Sequence, residues 1–279
     1  MNYKDILLIS DVDGTMLEKG FGVPGKNLEA VERFVGRGGR FTVATDRSAE
    51  SVGRFLDWIP LSAPAILLGG AVIYDFASGK FYKKRPIGAD WHPLAALLGS
   101  ELPQLAVELY GENSCSILRI NACSAAEHHA DHTSYTVTDA AFVSGPVYKL
   151  RLCGPEESID RAESLLAELT KEGADYNGLE ALRTDPNGLD IGAGADNKRS
   201  AAVELAARLQ LLPQQIAAIG NGPEDTALLQ YAGFAGAVGN ACVGAKQAAA
   251  VVVAECGMGG LAEFIGRVEA HYHLTGSHA

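Results

Sequence analysis

The stretch DVDGTM, Asp11 to Met16, follows the apolar run ILLIS and sets two carboxylates two residues apart, with a glycine and a threonine behind them. Charged groups at the exit of a buried strand are costly when they stand alone, so their presence asks for a ligand or a metal. Two carboxylates that close repel unless a hard cation such as Mg²⁺ lies between them, and Mg²⁺ takes oxygen ligands in octahedral array while usually keeping waters. Asn221 and Asp225, in GNGPED, offer further oxygens of that kind. Asp11, Asp13, Asn221 and Asp225 are therefore candidate metal ligands. Mg²⁺ so held implies an anionic substrate, because substrate phosphates typically complete its shell. Thr45 in VATDR can donate a hydroxyl bond to a phosphate oxygen, and Lys198, near a helix start in DNKRSAA, can offer a point charge.

The elements that must position these groups are legible in the apolar periodicity. Ile6 to Ser10 is a continuous apolar run of strand length, as expected in a parallel sheet covered on both faces. Leu28, Val31, Phe34 and Val35 recur at helical spacing over Asn27 to Val35, and Gly36, Gly38 and Gly39 close that helix. Phe41 to Thr45 reads as a second strand, Ser48 to Trp58 as a helix capped by Ser48, and Ala65 to Gly70 as a third strand. Strand and helix alternating through short connections give a doubly wound, Rossmann-like α/β layer.

From about Pro86 to Asn187 the rhythm changes to alternating strand-like pieces such as YKLRLC and one amphipathic helix from about Glu156 to Glu172. The first rhythm then returns with a helix over Asn197 to Leu209, a strand over Ile216 to Gly220, a helix over Glu224 to Tyr231 and the strand-like FAGAVG. Helices around Ala245 to Val253 and Leu261 to His271 follow. The expected organisation is thus an α/β core over residues 1–85 and 188–279, split by an α+β insert over 86–187. In open α/β sheets the ligand crevice lies at the carboxyl ends of the strands. Asp11 with Asp13, Thr45 with Asp46 and Arg47, and GNGPED all fall at such ends.

A chain of 279 residues with 47% hydrophobic and 20% charged residues has a globular composition. Its net charge of −11 opposes phosphate backbones and anionic bilayers, which argues against nucleic-acid and membrane partners. No charged leader with an apolar core opens the chain, and the expected location is the cytoplasm. The five cysteines lack CxxC spacing and read as reduced thiols. His128, His129 and His132 read as a polar loop of the insert, and Trp58 and Trp91 as packing residues.

These pieces, in this order and over nearly the whole chain, resemble the haloacid dehalogenase superfamily of phosphotransferases. DVDGTM is similar to its first motif, Thr45 in VATDR to the second, Lys198 in GADNKRSAA to the third, and GNGPEDTALLQYAG to the fourth. The insert resembles the larger α/β cap of the Cof-like branch, many of whose members dephosphorylate sugar phosphates, and AVGNA echoes an ending of that branch. The resemblance implies that Asp11 is the nucleophile and Asp13 the general acid/base. It further implies that Lys198 and Mg²⁺ hold the charge of the transferring group, with Gly14, Thr45, Asp46 and Arg47 at the phosphate. The implied activity is Mg²⁺-dependent hydrolysis of a small phosphorylated metabolite, a sugar phosphate, through an aspartyl-phosphate. Transfer to a second hydroxyl, as in a mutase, and a weakened phosphosugar-binding role stand beside it.

The sequence departs from the family pattern at Asn221, where the family carries Asp, and at Asp46, where it carries Gly. It also has Gly69 in GGA where the branch often has NGA, and Glu224 where Asn is common. Asn221 lowers the shell's charge by one, which Glu224 can restore. Asp46 must point away, pair with Arg47 or help bind metal, since two unit charges 4 Å apart interact by roughly 4 kcal/mol at an effective dielectric near 20.

Overall fold

The computed structural model describes residues 1–18, 22–54, 58–87, 91–130, 133–171, 178–194 and 197–274. The chain falls into two units, one formed by Met1–Asp46, Gly53–Tyr82 and Asn197–Ala279, the other by Arg47–Val52 and Lys83–Asp196. In the first unit β1 (Leu7–Ser10) is buried at every position, as a strand covered on both faces must be. The helix α1 (Gly25–Gly36) buries Asn27, Ala30, Val31 and Phe34, one face at helical spacing. β2 (Arg40–Val43) then pairs parallel with β1.

The helix after it, α2 (Ala49–Gly53), is shorter than the sequence suggests and groups mostly with the second unit. Ser48 does cap it, its Oγ accepting from the Ser51 amide at 3.3 Å. Residues 55–57 of the expected helix lie outside the described residues. Trp58 is 57% exposed and not a packing residue, because its neighbour Ile59 takes the inward position.

β3 (Ala65–Leu67) ends earlier than the expected Gly70, since Leu68, Gly69 and Gly70 have φ of +50°, +66° and +108° and turn the chain back. It meets the β2 side through the single parallel bridge Ala44–Ile66 and pairs antiparallel with β4 (Val72–Asp75). With β5 (Lys80–Lys84) these make a small separate sheet, β3-β4-β5.

The second unit contains α3 (Trp91–Glu101), β6 (Ala106–Tyr110), β7 (Cys115–Arg119), α4 (Ala122–Ala130), β8 (Thr136–Val137), β9 (Lys149–Cys153), α5 (Glu156–Lys171), β10 (Leu179–Asp185) and β11 (Gly188–Ala193). Its six strands order as β10-β11-β9-β6-β7-β8, and Trp91, Leu94, Leu98, Leu109, Leu150, Ile159 and Ile191 belong to one hydrophobic cluster. Two expectations change here. β11 pairs with β9 in this sheet, so the insert's sheet runs past residue 187. His128 and His129 sit in α4, not in a loop, and His128 is buried because polar partners await it inside; His132 lies outside the described residues.

The chain returns to the first unit with α6 (Lys198–Arg208), β12 (Ile216–Gly220), α7 (Thr226–Tyr231), β13 (Phe234–Ala237), α8 (Val243–Ala248), β14 (Val251–Val252) and α9 (Gly260–His271). Val251–Val252 is a strand where the sequence suggests helix; the β-branched run pairs parallel with β13 at the sheet edge. The result is a five-stranded parallel sheet, β14-β13-β12-β1-β2, the doubly wound core that the periodicity implies. No helix among the described residues is long and apolar enough to cross a membrane.

Candidate active site

Adjacent parallel strands end level with one another, and this is what gathers the site. β1 and β12 pair with Ser10 opposite Ile219, and the Asp11 amide donates to the Ile219 carbonyl at 2.9 Å. The DVDGT loop and the GNGPED turn therefore leave the sheet side by side. Lys198 comes from elsewhere, as the first residue of α6. Asn197 caps that helix, its Oδ1 accepting from the Ser200 amide at 2.9 Å while the Asn197 amide donates to Ser200 Oγ at 3.0 Å.

Gly70, at φ +108°, lies against the Asn197 carbonyl where a Cβ would collide with backbone. Gly70→Ala is therefore expected to lower stability by on the order of 3 kcal/mol, combining left-handed strain with overpacking. Chemical denaturation measures it, and an unchanged midpoint would refute this anchoring of α6.

Lys198 Nζ donates to Asp11 Oδ1 and to Asp225 Oδ1, both at 2.8 Å, and lies 3.8 Å from Asp46 Oδ2 and from Glu224 Oε1. The lysine side chain is 1% exposed. Burial pulls its pKa down, but Asp11, Asp225, Asp46 and Glu224 outweigh burial and hold it well above the ordinary value. Burial pushes Asp11 well above the usual carboxylate range; Lys198 opposes this and Asp225 and Glu224 add to it. Glu224 is pushed up to about 7, chiefly by burial, and its Oε2 is buried without a hydrogen-bond partner. The cluster around Lys198 thus holds more buried carboxylate than that lysine balances. Asp225 has a second duty: its Oδ2 accepts from the amides of Asn221 and Gly222 at 2.9 and 3.0 Å and fixes the turn.

One end of the Asn221 side-chain amide lies 2.9 Å from Asp11 Oδ2, 2.9 Å from the Asp13 carbonyl oxygen and 2.6 Å from Thr15 Oγ1. With nitrogen at that end, the amide donates to these acceptors. With oxygen there, oxygens of Asp11, Asp13 and Asn221 crowd one point and need a cation. Neighbouring ligands of an octahedral Mg²⁺ at 2.0–2.1 Å stand about 2.9 Å apart, the separation these oxygens have from the amide. The donor set and the partnerless Glu224 oxygen both fit a hard divalent cation.

The remaining expected residues divide. Gly14 sits in the loop at φ +77°, where a Cβ would stand 2.8 Å from Asn221 Nδ2. Thr45 is buried at the end of β2, with its amide donating to Ile66 O and its carbonyl accepting from Gly69 N. Asp46 faces Lys198, and Gly69 leaves the space beside its Oδ1. Asp13 is exposed. Arg47 is not among the residues of the first unit; in the second its Nη1 donates to Ser51 Oγ at 2.7 Å. Two contributors escaped sequence reasoning. Thr15 bonds the Asn221 amide, and Asn240 of AVGNA bridges the loops, its Nδ2 donating to Gly14 O at 2.8 Å and its Oδ1 accepting from Cys256 N at 2.9 Å.

Residues 8–265 match the model of the haloacid dehalogenase-like hydrolases. A protein of Haemophilus influenzae classed as a phosphatase is 25% identical over 263 residues, covering 94% of this chain and 97% of its own. The 5-amino-6-(5-phospho-D-ribitylamino)uracil phosphatase of Bacillus subtilis is 21% identical over 277 residues, covering 95% and 98%. A haloacid dehalogenase-like hydrolase from Bacteroides thetaiotaomicron superposes with a TM-score of 0.83 at 19% identity, covering 94% of this chain and 99% of that one. With the family pattern matched almost end to end, the chain belongs to the haloacid dehalogenase-like hydrolases and is an enzyme of their phosphatase type.

Proposed function

We propose that this phosphatase hydrolyses a small phosphomonoester, a sugar phosphate, with Mg²⁺ and through a phosphorylated Asp11. The observation that carries the reading is the Asp11 carboxylate, bonded by Lys198 on Oδ1 and facing the Asn221 side-chain amide at 2.9 Å with Oδ2. Asp11, Asn221 and the Asp13 carbonyl would hold Mg²⁺, with Asp225 ordering the turn; when bound, the ion neutralises charge on the transferring phosphoryl group. One Asp11 oxygen attacks phosphorus, the bond from phosphorus to the leaving oxygen breaks, and Asp13 gives that oxygen its proton. Water then attacks the phosphorylated Asp11, Asp13 takes the proton back, and phosphate leaves with Asp11 restored. Lys198 stabilises equatorial oxygen charge in both steps. Gly14, Thr45 and Asp46 are assigned to the phosphate's surroundings, and the choice among substrates to the insert.

The relative named for a phosphoribityl compound supports a phosphorylated polyol or sugar as the substrate class. The five free thiols support a reducing, cytoplasmic setting. A panel of sugar phosphates with Mg²⁺ tests the reading: release of phosphate supports it. Transfer without release makes the protein a phosphotransferase, and binding without turnover makes it a sensor.

Asn221 gives a sharper prediction. An aspartate there stands about 3 Å from Asp11, a repulsion of roughly 5 kcal/mol at an effective dielectric near 20 until a cation relieves it. Asn221→Asp is therefore expected to lower the metal-free melting temperature and to cut the half-saturating Mg²⁺ concentration by about tenfold. Thermal shift against Mg²⁺ and the activity titration measure both. No change in either would remove Asn221 from the metal shell.

A further inference from the structure

The second unit holds a buried cluster that the phosphatase reading does not use. Glu108 on β6, Cys115 on β7 and His128 on α4 bring one ligand atom each to within 4.8 Å of one another, and all three are buried. Cys115 Sγ lies 3.8 Å from His128 Nε2, and Nε2 lies 3.4 Å from Glu108 Oε2. Their positions in the sequence form no metal-binding spacing; the pairing of β6 with β7, which sets Tyr110 opposite Cys115, and the packing of α4 assemble them.

We propose that Glu108, Cys115 and His128 form a binding site for one Zn²⁺ ion. Four observations carry it. A tetrahedral zinc with ordinary bond lengths has a sulfur-to-nitrogen edge of about 3.6 Å and a nitrogen-to-oxygen edge of about 3.4 Å, close to the two separations seen. A bare ion pair explains the second separation less well, since a charge-assisted N–H···O bond closes to about 2.7–2.9 Å. The outer partners are those that orient ligands: His128 Nδ1 is bonded to Thr133 Oγ1 at 2.7 Å, leaving Nε2 toward the cluster, and Tyr110 OH donates to Glu108 Oε2 at 2.8 Å. Finally, Glu108 Oε1 and the neighbouring buried Ser124 hydroxyl make no hydrogen bond of normal geometry, an unused polar capacity beside the three ligands.

An entry path exists, because a cavity of about 260 Å³ lined by Ala125, His128, His129, Thr133 and Tyr135 opens onto the imidazole. Thiolate, imidazole and carboxylate together select zinc over Mg²⁺ or Ca²⁺. A second group, Cys123, Glu127 and Cys153, fits zinc worse: its sulfurs are 2.8 Å apart, whereas two thiolates on one zinc stand about 3.8 Å apart.

Cobalt(II) separates the possibilities, since only a thiolate ligand gives its near-ultraviolet charge-transfer band. Titration of the metal-free full chain with Co²⁺ is expected to give that band at one equivalent, with Zn²⁺ abolishing it and millimolar Mg²⁺ leaving it. Cys115→Ser and His128→Gln should lose the band while keeping the wild-type circular dichroism, Cys123→Ser should keep it, and Thr133→Val should weaken Zn²⁺ binding about tenfold. Absence of the band from the folded wild type, its survival in Cys115→Ser, or its loss in Cys123→Ser alone overturns the assignment. Should Cys115→Ser and His128→Gln not fold, the wild-type titration and Thr133→Val still decide.

Discussion

Asp11→Asn is expected to reduce phosphatase turnover by at least about a thousandfold while leaving the chain folded and no less stable. The amide cannot attack phosphorus, and losing a nucleophile removes most of what the surrounding groups contribute together. The stability half follows from the site's charge excess. Asp11 is buried at the carboxyl end of β1, its carboxyl held well above the ordinary range despite Lys198. Neutralising it relieves repulsion with Asp225 and Glu224, while the amide oxygen still accepts from Lys198. Steady-state assay on an aryl phosphate with thermal unfolding tests both halves. Turnover within tenfold of wild type would show that another group is phosphorylated, and a large fall in melting temperature would show that the carboxylate is needed for folding.

Lys198→Met should have the opposite balance, with a loss of about 3–5 kcal/mol of stability together with the activity. The ammonium is the buried partner of Asp11 and Asp225, both bonded at 2.8 Å, and removing one member of such a cluster strands the others uncompensated. Adding Asp225→Asn to Lys198→Met should recover part of the loss, because the two residues touch and their effects are not additive. Denaturant unfolding of the four forms reads the coupling. If Lys198→Met changes stability by less than about 1 kcal/mol, the carboxylates are adequately solvated and the account of the buried cluster fails.

How much of this was legible in sequence depended on whether a signal was local. The strand before DVDGT, the Ser48 cap and the strand before GNGPED could be read directly, since continuous apolar runs and cap chemistry are properties of neighbours along the chain. The helix start and the motif order both offer Lys198 to the site, and the structure supplies the reason it arrives there, the contact of Asn197 with Gly70. Asn240 and Thr15 were overlooked because each acts through one hydrogen bond across the fold, which leaves no periodicity. Val251–Val252 misled for a related reason: a short edge strand beside a helix has too few residues to show either period. His128 misled most, since a histidine pair in a polar stretch looks solvated until Glu108, far back in the chain, is brought beneath it.

The seat of α6 has an evolutionary consequence. Residues 70 and 197 are far apart in sequence, yet Asn197 is located by a cap to Ser200 and by the backbone at Gly70, all within the first unit. The register of Lys198 against Asp11 is thus set without reference to whatever chain is spliced between. Such an arrangement makes the intervening segment exchangeable: new inserts can be acquired, lengthened or shuffled, and new substrates explored, while the lysine returns each time to the same two carboxylates.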